Sequence, residues 1–146
     1  MKKSILVILL LQISSICFCQ TADKSFVDFW KVFRNAALKN DYKSLDSFTK
    51  FPLIVKGTLD SDPIKKFNRD KFQFVFKNYL KQDNANMSGT DLDDIQSKKV
   101  ISNSDFKDAV KNEIRISDMV FEKVKGSWKL ILLYINTEFQ EENKIK

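Results

Sequence analysis

Few residues in this sequence could do chemistry. There is no histidine, and the two cysteines, Cys17 and Cys19, both fall in an N-terminal stretch expected to be removed. Without them, zinc, haem, copper and iron–sulfur sites lose their usual ligands. Ser-His-Asp and Cys-His nucleophile arrangements are closed as well. "TDLDDIQ", Thr90 to Gln96, gathers three aspartates and raises the question of a calcium loop. Such a loop needs a central glycine and a closing glutamate. Ile95, Gln96, Ser97 and Lys98 follow Asp91, Asp93 and Asp94 instead, which favours a solvated loop. Trp30, Phe33, Tyr79 and Tyr134 are candidates to line a ligand pocket, weighed against plain core, because every phenylalanine after Phe18 must also find a buried place. Arg115 stands among strand residues and joins them as a candidate facing a cavity or a partner. Its bland reading is an exposed strand face, with Glu113 and Asp118 as surface partners. No residue stands in a catalytic or metal motif, and no cofactor is expected.

"MKKSILVILLLQISSICFCQ" opens the chain. Lys2 and Lys3 make a positive start, and the apolar run Ile5 to Ile16 is too short for a membrane-spanning helix, which needs roughly 20 residues. Small residues at 17 and 19 place a cut before Gln20, so residues 1–19 read as a signal peptide and 20–146 as one domain. The expected destination is the periplasm or the outside of the cell. Lipidation at Cys17 or Cys19 is the competing reading, disfavoured by the bulky Ile16 and Phe18; short of it no stable membrane anchor is expected. The mature chain would then hold no disulfide and must rest on its core.

Removal of Lys2 and Lys3 lowers the net charge by two, from +6 to +4, an ordinary value for solubility. Lys65, Lys66, Arg69, Lys71, Lys77 and Lys81 interleave with Phe67, Phe72 and Phe76, a mixture that can mark single-stranded nucleic-acid binding. On a helix, however, the aromatics fall on one face and the lysines on the other. A solvated face is expected, and no nucleic acid.

The elements that would position these residues follow from periodicity. Phe26, Phe29, Trp30, Phe33 and Ala37 recur at helical spacing over 23–39, with Asp23 or Ser25 as cap and Asn40 as stop. Asp41 caps a short second helix carrying Tyr42, Leu45 and Phe48. "FPLIVKGTL" reads as a strand, with Pro52 at its start or edge and Gly57 at a bulge or turn. "KFQFVFKNYL" fits strand or helix; Phe72, Val75, Phe76, Tyr79 and Leu80 favour a helix over 69–81, begun at Asn68 and leaving Phe74 on the wrong side. Residues 82–98 read as a polar loop, and 104–110 as a short helix. From Glu113 the chain reads as a hairpin that turns at Gly126, its first arm carrying Ile114, Ile116, Val120 and Val124 on one side. The returning "WKLILLYINT" is apolar on both faces and so central in a sheet or covered by a partner. The tail, 138–146, is polar and expected to fray.

The aromatic stretch "FVDFWKVFRNAALKNDYKSLDSFTKFPL" and the later "GSWKL" resemble the NTF2-like, cone-shaped α+β superfamily, and most of all its small exported bacterial members of unassigned function. Matching residues include Phe26, Phe29, Trp30, Phe33, Asp41, Phe51, Pro52, Gly126 and Trp128, spread over roughly 23–137. The resemblance implies N-terminal helices packed into a curved, mainly antiparallel sheet whose open end forms a pocket. It further implies that an isomerase-like or dehydratase-like member would need a pocket carboxylate beside a tyrosine, for which Tyr42, Tyr79 and Tyr134, with Asp28 and Asp46 near the helical faces, are the available groups. The motif residues are mostly core and turn, so no catalytic residue carries over.

The functional expectation is a non-enzymatic binding module, holding a small apolar ligand in the cone or a protein on the sheet face. Homodimerisation through the C-terminal strands would cover the doubly apolar strand. A cofactor-independent isomerase or dehydratase, or an inhibitor or immunity-type protein, are the alternatives.

Overall fold

The computed structural model describes residues 23–83, 89–106 and 112–145. The signal-peptide reading over 1–19 and the second half of the helix expected over 104–110 lie outside the described residues. Helix α1 (Lys24–Leu38) begins where the Asp23 carboxylate accepts the Ser25 amide at 2.8 Å. It buries Phe26, Trp30, Phe33 and Ala37 of the predicted stripe together with Ala36, while Phe29, the fifth stripe residue, is only partly buried against the core. Asn40, at φ 54, reverses the chain, and Asp41 caps α2 (Tyr42–Ser47) by accepting the Ser44 amide.

Strand β1 (Thr49–Lys56) starts earlier than Pro52, which falls in the register break between Thr49 and Ile54, where its missing N–H does no harm. Gly57 ends the strand in close quarters: a Cβ there would run into Asp62 Oδ2 and Thr137 Oγ1. After β2 (Ile64–Phe67), a single 3-10 turn (Arg69–Lys71) leads into α3 (Phe72–Tyr79). The helix is as expected, with Phe74 turned out to solvent, although the Asn68 side chain makes no capping bond.

Two stretches expected to be irregular contain helices among their described residues. Within 82–98, helix α4 (Asp91–Ser97) forms because Thr90 and Asp93 close a reciprocal capping box at its start. Its far end is held from α1: Arg34 donates to the carbonyls of Ile95 and Gln96 at 2.9 and 2.6 Å, and Trp30 Nε1 to that of Lys98 at 2.9 Å. The tail, expected to fray, carries α5 (Thr137–Glu142), capped by Asn136. Ile145 is fully buried and Phe139 packs on the core, so two apolar residues in a polar segment suffice to dock it.

The five strands lie in the order β2-β1-β5-β4-β3, with β3 (Glu113–Ile116), β4 (Met119–Val124) and β5 (Ser127–Tyr134) contributed by the C-terminal half. All neighbours are antiparallel except β1 and β5. The fold is thus α+β, with helices packed against a mainly antiparallel sheet, and the doubly apolar β5 is its central strand. Lys125 and Gly126, both at positive φ, make the tight β4–β5 turn.

The structure differs from the expected parity of the first hairpin arm. Ile114 and Ile116 face the core, but so do Met119 and Phe121, while Val120 and Val124 face outward. A turn at Ser117–Asp118, with Ser117 at φ 51, splits the expected single arm into β3 and β4 and shifts the inward set by one residue. Phe121 becomes the hub of the core. Its ring lies 5.0 Å from Phe33, 5.5 Å from Phe26, 5.6 Å from Phe29 and 6.1 Å from Trp30, edge-on to all four.

Candidate functional site

The structure divides the five sequence-predicted site residues between the two faces of the sheet. Trp30, Phe33 and Tyr79 are buried in the core, Trp30 stacked on Phe33 at 6.0 Å and Tyr79 linked to Phe33 through Phe76. Tyr134 and Arg115 lie together on the outer face, the guanidinium 4.2 Å above the phenol ring. Arg115 also donates to the Ser117 carbonyl and to Asp118, both at 2.9 Å, so its surface pairing with Asp118 is present. No single pocket collects the five.

A groove of about 440 Å³ lies at one end of the sheet, between the start of α1, the end of α2 and the β4–β5 turn, lined by Ser25, Phe29, Ser47, Phe48, Trp128 and Lys129. At its edge, Ser25 Oγ accepts from Trp128 Nε1 at 2.9 Å and from Lys123 Nζ at 3.2 Å. A serine beside a lysine suggests a nucleophile and its base. Here the Ser25 hydroxyl donates to Asp23 Oδ1 at 2.7 Å, and Lys123 also reaches the Asp23 carboxylate. Burial pulls the Asp23 carboxyl up, but the Ser25 hydrogen bonds and Lys123 outweigh it and hold the group below its ordinary value. Lys123 and the Ser25 hydroxyl are both engaged by the Asp23 carboxylate, and the network serves to cap α1.

The chemically unusual group is Asp91, which the sequence reading left in a solvated loop. It is 0% exposed, at the first position of α4. Oδ2 accepts from Gln82 Nε2 at 2.9 Å, and Oδ1 has no hydrogen-bond partner. Burial, reinforced by the Asp118 carboxylate, pushes Asp91 up to about 7. Tyr79 is equally buried; its hydroxyl makes no close hydrogen bond but faces the Asp91 carboxyl, and burial together with the Asp91 charge and that side-chain interaction drives it well above its ordinary value. Gln82 Oε1 in turn accepts the Asn136 amide at 2.6 Å, tying the pair to the root of α5. Thr90-x-x-Asp93 ahead of Ile95 is the sequence signal that could have found this helix and the burial of its first turn.

The arrangement offers a neutral phenol beside a carboxyl poised between its two protonation states, enclosed by packed side chains. The remaining aspartates of the cluster are spent elsewhere: Asp93 closes the capping box and Asp94 is half-exposed. Among the described residues no group of three acidic, histidine or cysteine side chains could hold a metal ion, and no helix is long and apolar enough to cross a membrane. Comparisons with protein-family models, curated proteins and solved structures found no match. Its function is therefore read from its own residues.

Proposed function

We propose that this chain is an exported, NTF2-like, non-enzymatic binding module that engages a protein through the outer face of its sheet, a second copy of itself being the first partner. The observation that carries this is an apolar row across the three central strands. Ile54 of β1 pairs with Leu132 of β5, and Leu132 pairs with Val120 of β4. All three stay partly exposed, whereas their inward neighbours Leu53, Val55, Met119, Phe121 and Leu133 are fully buried. Lys66 and Arg115 flank the row at its two ends, and Tyr134 with Arg115 over it extends it along β5. Apolar centre and charged rim are the make-up of a protein interface.

Five strands spaced at about 4.8 Å and eight-residue central strands give a face of roughly 24 by 26 Å. That lies somewhat under the roughly 800 Å² per partner of a standard interface, so a modest, concentration-dependent dimer is expected. The core, in contrast, is filled by its own aromatics, which argues against a resident apolar ligand there. Sedimentation velocity of the mature protein over a hundredfold range of concentration tests the reading. A dimer that Leu132→Glu converts to a folded monomer supports it, since the substitution puts a carboxylate in the centre of the row. A wild-type chain that stays monomeric throughout refutes self-association by this face.

One observation favours a second reading, a cofactor-independent isomerase or dehydratase. Asp91 beside Tyr79 is a carboxyl and a phenol of the kind such chemistry uses. Both side chains are closed off from solvent, so this reading needs an opening that the packed state lacks.

A further inference from the structure

Asp91 has no cation to offset its charge. No lysine or arginine among the described residues pairs with it. The groups that face it are the Tyr79 phenol from α3, the Gln82 amide after α3, Asp94 from its own helix and Asp118 from the β3–β4 turn. Asp118 is ion-paired with Arg115 on its outer side, and that cation makes no pair with Asp91. The backbone reinforces the junction: the amides of Asp91 and Leu92 donate to the carbonyls of Gln82 and Leu80 at 3.0 and 3.3 Å. From Asp91, two hydrogen bonds through Gln82 reach Asn136, whose side chain caps α5.

We propose that Asp91, Gln82 and Asn136 form a proton-operated latch, holding α4 and α5 docked while the Asp91 carboxyl is neutral and letting both lift when it is charged. A carboxylate enclosed beside two other acids is costly, and the cost is relieved only by water. Water reaches it when one of the segments tied to it opens, and the segment that opens first is the one least anchored. Helix α5 has six residues at the C-terminal end of the described chain. Besides Asn136, its anchors are Gln140 donating to the Ile135 carbonyl, Phe139 packed on the core, the fully buried Ile145, and Lys65 donating to the Ile145 carbonyl. Burial places the Asp91 titration near neutrality, so the latch works within a range that an exported protein meets. Its opening would bring solvent to the Tyr79–Asp91 pair, and it acts independently of the outer sheet face.

Hydrogen exchange of the full chain at pH 5.5 and 8.5, corrected for intrinsic rates, tests the latch. Amides of 91–97 and 138–145 are expected to lose at least tenfold in protection at the higher pH, with β5 unchanged. Asp91→Asn is expected to abolish that difference while keeping the segments protected. Wild-type protection that is equal at both pH values, a pH effect that survives in Asp91→Asn, or a loss that includes β5 overturns the proposal. Should Asp91→Asn not fold, Asp118→Asn removes the neighbouring like charge and is expected to move the opening midpoint to lower pH. A midpoint that stays or rises would refute the latch.

Discussion

Replacing Asp91 by Asn should alter the pH dependence of stability more than stability at any one acidic pH. The native carboxyl titrates near 7, against an ordinary value of 3.8. Between those values the folded chain keeps a proton that the unfolded chain has released. Stability therefore falls as pH rises through this window, and levels off above it. About three pH units correspond to ~4 kcal/mol. That is an upper bound, because local opening lets water reach the charge at less cost than global unfolding; ~1–3 kcal/mol is the expected effect. The asparagine side chain cannot ionise, yet its carbonyl oxygen still accepts from Gln82. The aspartates held below their ordinary values, Asp41, Asp93 and Asp105 among them, act the opposite way. They stabilise above the ordinary carboxylate range and lose that contribution only as pH falls below it. Wild type and variant share them, so they cancel. Urea unfolding followed by tryptophan fluorescence at pH 4.5 and 8.5 provides the double difference. We expect the variant to gain on wild type between the two pH values by ~1–3 kcal/mol. A difference that does not change with pH, or one of opposite sign, would show that Asp91 is not a buried, proton-holding acid.

Two further substitutions probe the core and the unexpected helix. Phe121→Ala removes the ring that meets four other aromatics edge-on, and should cost ~3–5 kcal/mol in urea unfolding. The same change at the solvent-exposed Phe74 should stay within about 0.5 kcal/mol; comparable losses at both sites would contradict the packing described. Thr90→Ala removes one half of the capping box and should cost about 1 kcal/mol, with faster amide exchange confined to the first turn of α4. An unchanged exchange pattern would mean that the contacts with Arg34, Trp30, Leu80 and Gln82 hold that helix without the cap.

The sequence by itself determined the elements whose signal is local and repeated. The stripe from Phe26 to Ala37 predicts α1, because five apolar residues at helical spacing can be buried only on one face of a helix. Likewise, β5, apolar on both sides, reads as central in a sheet or covered by a partner and is the central strand, and the positive-φ pair at Lys125 and Gly126 falls where a glycine turn is expected. The tertiary structure decided what depends on a few distant contacts. Helix α4 has only seven residues and draws on Arg34 and Trp30, some 60 residues away in the chain, for its last carbonyls. Helix α5 rests on Phe139 and Ile145, too sparse a pattern to stand out from a polar tail. The two-residue turn at Ser117 reversed which valines face outward, since strand parity shifts with a single misplaced turn. The candidate site was the least legible part. Tyr79 was singled out, but its partner Asp91 sits among acids that look solvated. A carboxyl becomes an unusual acid through what is packed around it, and that environment is assembled here from α3, Gln82, α4 and the β3–β4 turn, which no spacing along the chain brings together.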